Sequence, residues 1–233
     1  MKISEVFDLD AKRMEGKHIY FCSDLHYNHK NAISFGNRPF NDVSEMNNSI
    51  LNEIQSTITP GDILFTLGDD FWEVKENDII NILDSIPTNK LYKIMGNHDK
   101  YGYYMGGGKV GKKYKVLADL LDISIKKDGA IYNLALCHYP IWDYNRMFHG
   151  ALHLFGHVHG NLDEELRDNP KLMVDVGYDG QLAKRAGSFL IKFEDILDYF
   201  FEKTGGLDFD TWGRRNYKST VKGYGETERI SGE

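Results

Sequence analysis

Short apolar runs alternate with amphipathic stretches along most of the chain. The runs at 18–22, 62–67, 90–95 and 171–177 have the length and the aliphatic and aromatic content of buried strands. Leu154 and Phe155 begin a further apolar strand. The runs at 123–127 and 131–137 flank Asp128-Gly129, which predicts a hairpin, and residues 3–7 predict a short edge strand. Between strands the period changes. Met46, Ile50, Leu51, Ile54 and Ile58 recur at helical spacing behind a Ser44 cap and stop at Pro60-Gly61. Ile79, Ile82, Leu83 and Ile86 form a second helical face, capped near Asn77 and stopped by Pro87. Phe193, Ile196, Leu197, Phe200 and Phe201 form a third. Strands alternating with helices predict an α/β layered fold. Residues 101–113 read as a loop, and 204–233 as an extension of little periodicity with a frayed end at Ser231-Gly232-Glu233. No internal boundary is visible, so 1–233 reads as one domain with its core at about 18–203.

Composition narrows the class. With 41% apolar and 27% charged residues, the chain has ordinary globular usage. No run approaches the roughly 18 apolar residues of a membrane span, and residues 1–8 lack the apolar core of a signal peptide. A cytoplasmic protein without membrane attachment is expected. Cys22 and Cys137, both inside apolar runs, are expected as buried free thiols. The net charge of -7 is the wrong sign for gripping a duplex, whose phosphates call for a basic face. A small phosphate-ester or nucleotide substrate fits the balance better than nucleic acid.

The chemistry sits where the strands end. Successive apolar runs close on Asp24-x-His26, Gly68-Asp69, Gly96-Asn97-His98-Asp99, His138 and Gly156-His157-x-His159, and these hold five of the nine histidines. Carboxylate, imidazole and amide oxygen form a borderline-hard donor set suited to manganese, iron or zinc, and no thiolate belongs to it. Side chains at the carboxyl ends of neighbouring strands converge on one crevice in open α/β sheets.

This order of motifs resembles the calcineurin-like metallophosphoesterase superfamily, over residues 19–160. The wording of Asp24-Leu25-His26-Tyr27-Asn28-His29 and Asn37-Arg38-Pro39-Phe40 is similar to a small bacterial and phage branch of that group. The resemblance implies a four-layer α-β-β-α sandwich and hydrolysis of phosphomonoesters or phosphodiesters through a metal-bridging hydroxide. It implies two divalent ions, manganese first, with iron, zinc, nickel or magnesium as alternatives. Asp24, His26 and His159 would hold one ion; Asn97, His138 and His157 the other; Asp69 would bridge them. His98 would protonate or steady the leaving oxygen, with Asp99 orienting it. Asn28 stands where many members have Gly and tolerates the same positive φ.

Arg38 and Tyr139 are candidate substrate contacts, with Asp143 beside them, and His29 is either a support for the ligands or a loop residue. Residues 106–113 nearly spell a phosphate-binding loop, but Lys113 stands where Ser or Thr should be. Tyr101, Tyr103 and Tyr104 could stack a base or pack the rim, while His18, His149 and His153 read as packed or solvated. Arg214, Arg215, Lys218 and Lys222 read as a solvated tail. Two other functions fit less well: a nuclease of single-stranded or terminal nucleic acid, and a non-catalytic binding module.

Overall fold

A computed structural model of the chain describes residues 1–221. Its strands are β1 (Lys2–Asp8), β2 (Ile19–Cys22), β3 (Ile63–Thr66), β4 (Leu91–Ile94), β5 (Val116–Ala118), β6 (Leu120–Lys127), β7 (Ala130–Cys137), β8 (Leu152–Phe155), β9 (Met173–Asp175) and β10 (Ile191–Lys192). Its helices are α1 (Lys30–Phe35), α2 (Val43–Thr57), α3 (Glu76–Ser85), α4 (Tyr101–Tyr104), α5 (Asp163–Asp168), α6 (Gln181–Ala186), α7 (Phe193–Lys203) and α8 (Phe209–Val221). The strands form two five-stranded sheets, ordered β1-β6-β7-β8-β9 and β10-β2-β3-β4-β5. Among the described residues, only the β6–β7 hairpin and the β10–β2 edge pair antiparallel within the sheets. The protein is a mixed α/β chain with two mostly parallel sheets flanked by helices.

Strand alternation assigns the core. In β2 and β3, Ile19, Phe21, Ile63 and Phe65 turn toward the other sheet, where they pack with Leu121, Ile123, Leu134, Leu136, Leu152 and Leu154. Tyr20, Cys22 and Leu64 turn the other way, onto Met46, Ile50 and Ile54 of α2 and Ile79 and Leu83 of α3. With both faces covered, these strands read as continuous apolar runs. Phe21 and Phe65, both fully buried, stack at 5.1 Å; burying each contributes roughly 1.5–3 kcal/mol. The faces of α2, α3 and α7 are those the spacing predicts.

Four local expectations are corrected. Lys75, with no side-chain cap bond, precedes α3, so Asn77 lies inside its first turn. Asp42, not Ser44, caps α2: its carboxylate accepts the Glu45 N–H at 2.9 Å. Residues 101–113 hold α4 and a single helical turn at Val110–Lys113, because Tyr104 and Val110 are buried against the α3 side of the core. Part of the 204–233 extension is α8. Phe209 packs on Phe200 and Phe201, and Trp212 Nε1–H donates to Pro170 O at 2.8 Å. Lys222 and the end at 231–233 lie outside the described residues. Among the described residues, no helix is long and apolar enough to cross a membrane. Both cysteines are buried and free.

Candidate metal centre

The carboxyl ends of β2, β3, β4, β7 and β8 open onto one edge, and the backbone there is unusual. Asp24 (φ +55°), His26 (+49°), Asp69 (+55°), His157 (+70°) and His159 (+51°) all occupy left-handed conformations. Such conformations cost about 1–3 kcal/mol each in non-glycine residues and gather at functional sites. Asn28 has φ +73° as well. The turns hold one another in register. Asp24 N–H donates to Gly68 O, His26 N–H to Asp69 O, Gly156 N–H to His138 O, and His157 N–H to Asp24 Oδ2. Gly156 is required by close approach, since a Cβ there would overlap Ser23 Oγ and Asp24 Oδ2.

Two groups of side chains meet at this edge. Asp24, His26 and His159 form one, and Asp24, Asp69 and His138 the other; in each, the ligating atoms lie within 4.8 Å of one another. The Nε2 atoms of His26 and His159 both stand 3.9 Å from Asp24 Oδ1. His138 Nε2 lies 3.3 Å from Asp69 Oδ2 and 3.0 Å from Asn97 Oδ1, which is 2.9 Å from His157 Nδ1. All seven ligand candidates are therefore brought together. His138 Nδ1 is 2.7 Å from Leu67 O, so that nitrogen donates to the carbonyl and Nε2 is the ring atom turned to Asp69 and Asn97. Asp24 Oδ1 and His26 Nε2 are buried and have no protein partner. That is the condition a cation with oxygen and nitrogen ligands would relieve, and the donor set fits one.

The titration behaviour follows from crowding. Burial raises Asp24 above the usual carboxylate range, against the pull of His138 and His159. Burial lowers His26 to about 3, keeping it neutral. Asp69 is also pushed up by burial, but the hydrogen bond and charge of His138 win and hold it at about 2. Asp175, at the end of β9, is raised to about 7 by burial and by the neighbouring Asp24 charge.

His98 lies beside the groups and outside them. Its side chain is 40% exposed, with Nε2 3.9 Å from Asp69 Oδ2, and its ring meets Trp72 edge-on at 4.7 Å. Asp99 does not orient it. The Asp99 Oδ2 accepts the N–H groups of Gly96 and Asp69 and pairs with Lys93 at 2.8 Å, so it braces the turn. Arg38 is likewise no open phosphate fork: only 5% of it is exposed, and its donors are engaged by Asp179 and the carbonyls of Asp24 and Leu25. His29 is buried, with Nδ1 3.3 Å from His26 Nδ1 and its ring stacked on Trp72 at 3.9 Å, which makes it a support for His26. Tyr139, 45% exposed, meets His157 edge-on at 4.7 Å. Asp143 is exposed and acts on Lys171.

Asp175, Asp179, Lys93 and Trp72 are the residues sequence reasoning missed. Asp175 accepts the N–H groups of Gly160 and Gly177 and so ties the His157–His159 turn to the end of β9. Trp72 follows Gly68-Asp69-Asp70 by two positions, the one local signal that could have marked it.

No family model matches the chain. It is 33% identical over 159 residues to the uncharacterized protein MJ1445 of Methanocaldococcus jannaschii, across 68% of this chain and 79% of that protein. The crystal structure of AQ665, a protein of unknown function from Aquifex aeolicus, matches with a TM-score of 0.57 at 22% identity. The match covers 78% of this chain and 99% of that one, and establishes likeness of fold alone. The chain thus belongs to the family of the M. jannaschii protein MJ1445.

Proposed function

We propose that the protein is a metal-dependent phosphoric ester hydrolase of the calcineurin-like type, with the four-layer α-β-β-α sandwich of that superfamily. One observation carries the reading: seven oxygen- and nitrogen-bearing side chains from five strand ends meet at one edge, with Asp24 Oδ1 and His26 Nε2 buried and unpartnered. Buried polar atoms almost always have a partner, and a divalent cation is the partner this donor set favours. Asp24, His26 and His159 would hold one ion and Asn97, His138 and His157 the other, with Asp69 shared; manganese is the first candidate. Bound ions would acidify water for attack and offset charge on the phosphoryl oxygens.

The chain's own residues do the rest. Leu67 O fixes the His138 tautomer, and Asp99 and Asp175 hold the turns that present Asp69 and His159. His98, whose ring is partly exposed beside Asp69, would hand a proton to the departing oxygen. Phe35, half exposed, meets the His159 ring at 5.0 Å. With Trp72 and Tyr139 it lends the mouth flat apolar surface. Bases stack on such surfaces, which favours the nuclease reading among the alternatives.

The test is hydrolysis of p-nitrophenyl phosphate and bis-p-nitrophenyl phosphate by metal-stripped protein refilled with manganese, beside Asp69→Asn. Manganese-dependent turnover absent from the variant is expected. Binding without turnover of either ester would move the search to nucleotides and oligonucleotides. Failure to bind any divalent metal would overturn the proposal.

A further inference from the structure

We infer that Arg38 and Asp179 form a buried clamp that sets the cation affinity of the Asp24/His26/His159 group alone. The inference rests on the metal-dependent reading above and adds to it two residues that would touch neither ion nor substrate.

One guanidinium joins three segments. Arg38 Nε donates to Asp179 Oδ1 at 2.9 Å and Nη2 to Asp179 Oδ2 at 2.8 Å, a two-pronged pair across 141 positions of sequence. Nη2 also donates to Asp24 O and Nη1 to Leu25 O, both at 2.8 Å, so the same plane grips the strained backbone that presents Asp24 and His26. The Tyr178 ring covers its face at 4.0 Å. Both charged side chains are sealed, at 1% and 4% exposure. Gly36 leaves the room this needs, because a Cβ there would crowd the Asp179 carboxylate.

Asp179 then reaches the third member of the group. Its Oδ2 lies 2.8 Å from His159 Nδ1. The carboxylate makes that nitrogen the N–H donor, so Nε2, 3.9 Å from Asp24 Oδ1, carries the lone pair. A carboxylate behind a ligating histidine fixes its tautomer and raises its basicity, and losing such a partner typically costs about 10–100-fold in metal affinity. Buried ion pairs contribute little net stability, so a clamp this costly to desolvate makes better sense as a positioning device. Among the candidate ligands, its hydrogen bonds reach Asp24 and His159. His138 and Asp69 are braced instead by Leu67 and Asp99.

The experiment is calorimetric titration of the metal-stripped full chain with Mn²⁺, for wild type, Asp179→Asn and Arg38→Lys, with thermal melts to establish folding. Asp179→Asn keeps an oxygen for Arg38 but turns an amide NH₂ toward His159, which forces the wrong tautomer. We expect two sites in wild type, and in Asp179→Asn one site weakened about 10–100-fold with the second unchanged. A second readout needs no metal: the hydrogen-bonded Nδ1–H proton of His159 should be visible by NMR in the stripped wild type and lost in Asp179→Asn. Equal weakening of both sites, no weakening, or persistence of that resonance would overturn the clamp and leave the two-ion reading standing. A wild type that takes up no Mn²⁺ would remove the reading beneath it as well.

Discussion

Lys93 Nζ lies 2.8 Å from Asp99 Oδ2 with both side chains sealed from solvent, and its second partner, Asp70 Oδ2, is 2.7 Å away. Burial disfavours the Lys93 charge, but the two carboxylates outweigh it and raise its pKa well above the usual lysine value. The ammonium bridges the Asp70 and Asp99 carboxylates beneath the Asp69 turn. Lys93→Met would strand two buried carboxylates. We expect a loss of about 3–5 kcal/mol in urea unfolding, the range for breaking a buried pair from one side. A loss below about 1 kcal/mol, the scale of an exposed pair, would show that the three charges are not coupled.

His153 is buried between Ala135 O, 2.9 Å from Nδ1, and the Ile141 N–H, which donates to Nε2 at 2.9 Å. Burial lowers its pKa to about 4. The folded state therefore binds this proton more weakly than the unfolded chain, whose histidine titrates near about 6.5. Stability is complete above that unfolded value and is lost as pH falls toward and through about 4. Between pH 7.5 and 4.5 the loss should reach about 2–3 kcal/mol. His153→Gln can make both hydrogen bonds without titrating, so the gap between variant and wild type should shift by that amount between the two pH values. A gap that does not move would rule this out.

Gly156→Ala tests the packing of the turns. The added methyl meets Ser23 Oγ and Asp24 Oδ2, which have nowhere to move. Overpacking of this kind costs typically about 1–3 kcal/mol, and here it would also displace Asp24 from both ligand groups. The melting temperature and Mn²⁺ uptake should fall together. Full Mn²⁺ uptake by a folded variant would count against the assigned ligands.

What could be read in the sequence was local. The strand ends were legible because apolar runs too short for helices stop abruptly at Asp69, Asn97, His138 and His157. The faces of α2, α3 and α7 were legible from their period. Partners far apart were not. Nothing near Arg38 announces Asp179, and Lys93 in the alternating 90–95 run looks solvent-facing until Asp70 and Asp99 are folded against it. Asp175 hides in an apolar strand, where burial was legible but its hydrogen bonds to Gly160 and Gly177 were not. The α2 cap shows the finer limit. Asp42 and Ser44 are both capping residues, and only the chain's entry path chooses between them.

His98 separates acid catalysis from electrostatic help. Its ring is partly exposed and stands outside both ligand groups, so His98→Gln should leave Mn²⁺ stoichiometry and stability near wild type. If the imidazolium delivers a proton to the departing oxygen, the loss in kcat should depend on that oxygen's basicity. For an alkyl phosphate ester, whose alkoxide cannot leave unprotonated, we expect about 10²–10⁴-fold. For p-nitrophenyl esters, whose phenolate leaves readily, the loss should be far smaller. Parallel kinetics on the two ester types, with metal content measured in each sample, decide the matter. Equal losses on both would place the imidazole against the phosphoryl oxygens, whose charge develops whichever group leaves.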